Sequence, residues 1–532
     1  MNRERRDAVE PEPAAIVRPL VPRPGVDDIG LLLGDVPRGT PLELAAGTTP
    51  AAEDIAAGHK VALHAIPKGT PVRKYGEVIG VALADIPAAG HVHVHNLGVG
   101  RWQEPPTSPS PRHVPPTQVS PTRDHFLGYR RPDGRAATRN YLVIVPTVNC
   151  SATVARMIAL RADALHKGTP GLDGVIALPH DLGCGMAEGT PGDAILRRTL
   201  RGYLGHANVA GALLISLGCE VNQPENILGE GEGDSEGEFS KGSGGIGIAV
   251  ETLAIQQLGG TAATLNTALD RIAALVSRIT QTHRIPIPLS ELTLGLQCGG
   301  SDAYSGLTAN PTLGVAADLL VAAGGKVVLG ETPEIYGAHH LLRDRATTPE
   351  AAARIDQLIA WWQEYTATNG ATLDNNPSRG NRAGGITTIW EKSLGAVLKS
   401  GTSPLNDVVG YAEPITAPGL TFMDTPGYDP VSATGMVAGG ANLLAFTTGR
   451  GSLFGSRPVP CLKISTTSGL YERMRGDIDF DAGPAMSHAD QLTYGTALFE
   501  ALVDMASGTE SKSEALGFGT EEIVPWRMGA VL

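Results

Sequence analysis

At 532 residues the chain exceeds what one hydrophobic core can fill, so about three domains are expected. Hydrophobic residues make up 42%, an ordinary globular fraction, but aromatics are only 5% while Gly (67) and Pro (39) are abundant, which favours turn-rich structure over a helical bundle. The formal net charge of −13 argues against nucleic acid or an anionic membrane as partner, yet leaves anionic small molecules open, because a site's local field can oppose the global charge.

Residues 1–24 are charged and Pro-rich, without the apolar core of a secretory signal, and are expected to be disordered. No run of 18 apolar residues occurs anywhere, so no transmembrane helix is expected. Five cysteines, an odd number without regular spacing, do not make a disulfide framework and point to a reducing cytoplasm. Residues 25–100 form the next unit. Asp35-Val-Pro-Arg-Gly39, Ile66-Pro-Lys-Gly69 and Asp85-Ile-Pro-Ala-Ala-Gly90 punctuate short Val/Ile/Leu-rich runs, which predicts a compact all-β domain. In it, His91-Val-His93-Val-His95 alternates, and a strand would place all three imidazoles on one face. Such a face is either a metal or acid/base site, or a row of solvated histidines.

Residues 101–124 read as a stiff Pro-rich linker. Beyond it, strands and helices alternate, which predicts a central α/β domain over 125–283. A C-terminal α/β domain over 288–532 follows, with mostly parallel sheets in both and the break near Arg284–Pro288. The expected strands are Tyr141–Pro146, Gly174–Leu178, Ala212–Leu217, Leu292–Leu296 and Lys326–Leu329, and Leu265 to Ile279 repeats at helical spacing. The Gly/Glu-rich stretch Gly229–Gly247 reads as a mobile loop.

Chemistry-bearing residues recur just after these strands. They are Thr147-Val-Asn149-Cys150-Ser151, then His180 to Cys184, then Cys219-Glu220, then Cys298 to Asp302, then Glu331. Parallel sheets bind ligands at the carboxyl ends of their strands, so four of the five cysteines fall where a site belongs. Cysteine also packs as a small hydrophobe, and Cys461 reads that way. Asn376–Asn381 and Thr447–Ser452 combine Gly, hydroxyls and an arginine suited to a carboxylate, or are tight turns. No nucleotide fingerprint is present.

The strings KYGEVIG (74–80), HVHVHN (91–96), RPDGRAATRN (131–140), PTVNCSATVAR (146–156), SLGCE (216–220), QCGGSDAYSGLTANP (297–311), NPSRGNRAGGITTI (376–389), FTTGRGSLFG (446–455) and IDFDAG (478–483) resemble the altronate/galactarate dehydratase family. The resemblance implies a multidomain chain, with a small N-terminal β-clip (SAF-like) domain followed by two α/β domains. It also implies dehydration of a sugar acid to a 2-keto-3-deoxy acid with Fe2+ or Mn2+. HVHVHN and IDFDAG resemble the altronate branch; galactarate dehydratase and a sulfolactate sulfo-lyase stay open, as does a non-catalytic sugar-acid binding protein. His339, where the family pattern has Glu, and Ser465-Thr466-Thr467, in place of Ala-Thr-Asn, depart from it.

For such a reaction the expected acid/base groups are His93, His95 and His180. The expected metal ligands are His91, His93, His95, Cys184, Cys219 and Cys298, with an iron–sulfur cluster on the three thiolates as the alternative. Thr147, Asn149, Ser151, Ser301, Asp302 and Arg450 are expected to grip the substrate, and a homodimer is the expected assembly.

Overall fold

The computed structural model describes residues 16–100, 120–228, 248–279 and 282–529; the Gly229–Gly247 loop and most of the linker lie outside them. The chain divides into two compact units, 1–103 with 376–392, and 104–375 with 393–532.

The first unit is all-β apart from its inserted segment. Its strands are β1 (Ile29–Leu31), β2 (Pro41–Leu44), β3 (Gly47–Pro50), β4 (Lys60–Ala62), β5 (Pro71–Lys74), β6 (Glu77–Ala82), β7 (His91–Val92) and β8 (Leu97–Gly98). They form small antiparallel sheets, β1-β4-β7, β2-β3 and β5-β6-β8. The Pro-x-Gly turns predicted from the sequence recur with Gly39 and Gly69 at φ 85° and 83°, where a side chain would be strained. Disorder over 1–24 fails for its last part. Val17 donates to Pro41 O at 2.9 Å and accepts from Glu43 N at 2.9 Å, and Leu20 pairs with Leu31 through two 2.8 Å bonds. The apolar Ile16, Val17 and Leu20 give that stretch a sheet edge to join, which a reading by charge and proline overlooks.

The second unit adds β9 (His125–Arg130), β10 (Ala136–Ala137), β11 (Tyr141–Pro146), β12 (Gly174–Ala177), β13 (Val209–Ser216), β14 (Val250–Ala254), β15 (Ile285–Pro288), β16 (Thr293–Cys298), β17 (Lys326–Leu329), β18 (Leu405–Val409), β19 (Gly419–Met423), β20 (Leu443–Thr448), β21 (Cys461–Ser465) and β22 (Phe480–Asp481). Two parallel sheets result, β12-β11-β13-β14 and β18-β19-β17-β16-β20-β21-β22. Strand β11 is buried on both faces. Leu142 and Ile144 pack with helices α1 (Asn149–His166) and Thr261–Ile279. Tyr141, Val143 and Val145 join a core shared with the seven-stranded sheet. Continuous apolar runs are therefore what the sheet requires.

At the expected break near 284–288, β15 pairs antiparallel with β9. Helix α2 (Pro191–Leu204) meets helix Asp429–Ala438 so closely that a Cβ on Gly202 would lie 2.3 Å from Ala438 O. The buried Arg139 reaches across to Glu514 at 2.7 Å. A further correction concerns the C-terminal domain drawn over 288–532, because 376–392 folds with the clip rather than with its neighbours in sequence.

Candidate active site and metal centre

In the clip unit the histidine run is not a full strand. β7 ends at Val92, and Asn96 turns the chain by accepting from His93 N at 2.9 Å and donating to His91 O at 2.8 Å. The imidazoles still converge, with His91 5.3 Å from both His93 and His95 between ring centroids. A fourth ring completes the group. His59 precedes β4, which pairs with β7, and its Nδ1 lies 3.0 Å from His91 Nε2. Ligand atoms of His59, His91 and His93 all lie within 4.8 Å of one another; Glu53, His91 and His95 form a second, more open group.

Burial first, then neighbouring positive charge, lowers His91 to about 4 and His93 to about 3, and burial also lowers His59. Neutral imidazoles are what a metal ion needs. Buried His93 Nδ1 has no hydrogen-bond partner, an orphan that a cation would satisfy. Three nitrogen ligands with open positions fit a catalytic divalent ion, Fe2+ or Mn2+ included. His59 escaped the sequence reading because a single histidine after a turn carries no periodic signal; only the β4–β7 pairing brings it in.

Behind the imidazoles, two fully buried lysines share one carboxylate. Glu391 lies 2.9 Å from Lys60 Nζ and 2.9 Å from Lys74 Nζ, and also accepts from Thr387 N at 2.9 Å. Lys60 donates further to Gly385 O at 2.5 Å. Burial lowers Lys60 to about 8 against the pull of Glu391, while Glu391 itself is held well below the carboxylate range by the two ammoniums despite its burial.

The second unit has its own buried constellation. Cys298 closes β16, Glu331 and Glu334 follow β17, and Lys399 Nζ sits 2.9 Å from the Cys298 sulfur and 3.5 Å from Glu331. Both carboxylates lie 3.9 Å from that sulfur. Glu331 adopts a left-handed backbone, φ 67° and ψ 63°, a strain held where function is common. Burial would lower Lys399, but Cys298 and then Glu331 outweigh it and raise it.

Several expected site residues have other duties. His180 is bound by backbone at both nitrogens, to Pro146 O at 2.8 Å and from Leu182 N at 3.2 Å. Its burial lowers its pKa, as suits that neutral bridging role. Ser151 Oγ points inward to Val148 O and Ile215 O, and Thr147 Oγ1 donates to Glu220, which leaves Asn149 and Cys150 as the exposed members of that turn. Asp302 accepts from Ser305, Tyr304 and Thr466 and so shapes its own loop; Ser301 beside it is buried. Arg450 is exposed, its backbone N bonded to Gly300 O at 2.8 Å. Thr467 caps helix Ser468–Arg473, and His339 Nδ1 accepts from Gly337 N. Cys184 and Cys219 are exposed whereas Cys298 is buried, and the ligand atoms that converge with Cys298 are those of Glu331 and Glu334 rather than the other two thiols.

Family models match the chain in order. An altronate/galactarate dehydratase SAF domain covers 23–99, a D-galactarate dehydratase/altronate hydrolase second domain covers 128–280, and a D-galactarate/altronate dehydratase C-terminal domain covers 289–531. The chain belongs to the altronate/galactarate dehydratase family. An altronate dehydratase from Escherichia coli K12 is 35% identical to this family member over 95% of this chain and 98% of its own length. A galactarate dehydratase (L-threo-forming) from the same organism is 35% identical over 86% and 87%. A (2R)-sulfolactate sulfo-lyase subunit beta from Chromohalobacter salexigens is 31% identical over 74% and 95%.

Proposed function

We infer that the protein is a hydro-lyase that removes water from a sugar acid such as altronate to give a 2-keto-3-deoxy acid, using a divalent metal. The observation that carries this reading is the end-to-end family match combined with a cluster of neutral imidazoles in the clip unit. The reaction takes a proton from the carbon next to the carboxylate and expels hydroxide from the neighbouring carbon. The resulting enol becomes the ketone.

His59, His91 and His93 would hold iron(II) or manganese(II), which when bound supplies Lewis-acid stabilisation of developing oxyanion charge. His95 would exchange a proton with substrate, a role supported by its exposure beside His91. Asn96 fixes the His91–His93 turn, and the Lys60–Glu391–Lys74 group fixes β4 and β5 from behind. Free cysteines throughout fit a cytoplasmic location, and a homodimer in solution belongs to the same proposal. No described helix is long and apolar enough to cross a membrane.

The test is a panel of aldonates, aldarates and sulfolactate under anaerobic conditions with added iron or manganese. Formation of 2-keto acid from one sugar acid is expected. Release of sulfite in place of water refutes the reading in favour of carbon–sulfur cleavage. Stoichiometric binding without turnover makes the protein a binding protein instead.

A further inference from the structure

Three exposed cysteines remain outside the centres described above, and they follow three neighbouring strands. Cys150 follows β11 in the first turn of α1, Cys184 lies in the loop after β12, and Cys219 follows β13; the sheet order is β12-β11-β13, all parallel. Adjacent strands run about 4.8 Å apart, so loops leaving the same ends of three neighbours open onto one mouth. All three thiols are free and exposed there, unlike Cys298 and Cys461.

The loops are tied to one another rather than merely close. Asn149 N donates to Leu182 O at 3.0 Å, Asn222 N to Gly183 O at 3.3 Å, and Asn222 Nδ2 to Thr147 O at 3.1 Å. Glu220 closes the knot by accepting from Thr147 Oγ1, from Gly218 N at 2.7 Å and from Leu217 N at 3.1 Å. Gly183 takes φ 101°, and a Cβ there would lie 2.3 Å from Thr147 O, so glycine is what brings the Cys184 loop against the Cys150 loop. The three sulfurs nevertheless do not gather within the 4.8 Å that would suit one ion, in contrast with the histidine group. Thiols on the loops of three neighbouring strand ends offer ligands for a polynuclear centre, which is larger than a single cation.

Two further features fit an anionic inorganic core. The first turn of α1 carries no acidic residue and no side-chain cap, so the positive end of the helix dipole favours negative charge beside Cys150. Gln256 Nε2 lies 3.4 Å from the Cys219 sulfur, the kind of N–H···S contact that tunes such centres.

We propose that Cys150, Cys184 and Cys219 hold a four-iron, four-sulfide cluster with one iron left without a protein ligand. Binding of the preassembled cluster releases three thiol protons and changes no oxidation state. The open iron takes oxygen donors, so an anionic hydroxy acid is the ligand class for it; that last point alone rests on the dehydratase reading. The ligand set differs from the thiolates expected from sequence in having Cys150 where Cys298 was placed.

The experiment is anaerobic reconstitution of the full-length protein with iron and sulfide, followed by metal and sulfide analysis and visible absorption. About four irons and four sulfides per chain are expected for the unsubstituted protein and for Cys461→Ala. Cys150→Ser, Cys184→Ser and Cys219→Ser should each lose most of both. Because these thiols are exposed, circular dichroism should show unchanged folding. As a check independent of substitution, the three thiols should react with a maleimide before reconstitution and be protected after it. Mild oxidation should convert the centre to a three-iron form through loss of the open iron. Sulfide-free iron in the unsubstituted protein, or a cluster that survives replacement of all three cysteines, overturns the proposal. If 2-keto acid forms without a cluster, the inference falls and the dehydratase reading stands; a cluster without turnover of any sugar acid leaves the opposite result.

Discussion

Replacing Glu391 by Gln should damage the clip unit far more than replacing Lys60 by Met, although both remove one charge from the same buried group. Each ammonium lies 2.9 Å from the carboxylate. At an effective dielectric near 20, each attraction is worth about 6 kcal/mol, and two ammoniums about 5 Å apart on one carboxylate repel by about 3 kcal/mol. Lys60→Met loses one attraction but removes that repulsion and the desolvation of a buried ammonium, several kcal/mol in itself, so the change is expected to lie within about 1 kcal/mol of neutral. Glu391→Gln keeps the shape and the bond from Thr387 N at 2.9 Å, but leaves two buried cations facing an amide. Loss of about 3–5 kcal/mol is expected, a large share of a typical domain's stability. Urea unfolding followed by circular dichroism, with limited proteolysis to identify the unit that opens, measures both. Equal losses for the two variants would refute the account of two cations balanced on one anion.

His59→Ala should weaken manganese binding at least tenfold, roughly, in titration calorimetry, because it removes one of three converging ligands. His91 and His93 have folded pKa values of about 4 and 3, below the roughly 6.5 of an unfolded imidazole. The unfolded chain therefore binds more protons in that window, so metal-free protein should lose stability as pH falls from about 6.5 toward 4, and His91→Asn should flatten that dependence of the urea midpoint. His180→Ala should cost about 1–3 kcal/mol through its two lost backbone bridges while leaving the shape of the pH–rate profile unchanged. A shifted profile would return His180 to the chemistry.

Much of the second unit was legible in sequence because β11, β12, β13, β16 and β17 are buried on both faces and so read as unbroken apolar runs. β14, with Val250 and Glu251 half-buried, and the short β22 gave no such run, and neither was anticipated; nor were β19, β20 and β21, although these are buried throughout. The candidate site was legible at His91, His93 and Cys298, where pattern or strand-end position marks the residue. It was illegible at His59, Glu391, Lys60 and Lys74, since a buried charge looks like a surface charge until its partner is known. Thr147, Ser151 and Asp302, expected to meet substrate, bond to neighbouring segments in the structure. At a strand tip a hydroxyl or carboxylate that knits loops has the same sequence signature as one that meets a ligand.

The return of 376–392 to the clip means that the clip is not a detachable module. Cut at the Pro-rich linker, the N-terminal fragment would carry Lys60 and Lys74 without their counter-ion, and the remainder would carry Glu391 without its cations. Neither piece is then electrically complete. Produced together as two chains, they hold the means to find each other by charge, so breaking the peptide connection in the linker should divide the polypeptide without dividing the protein.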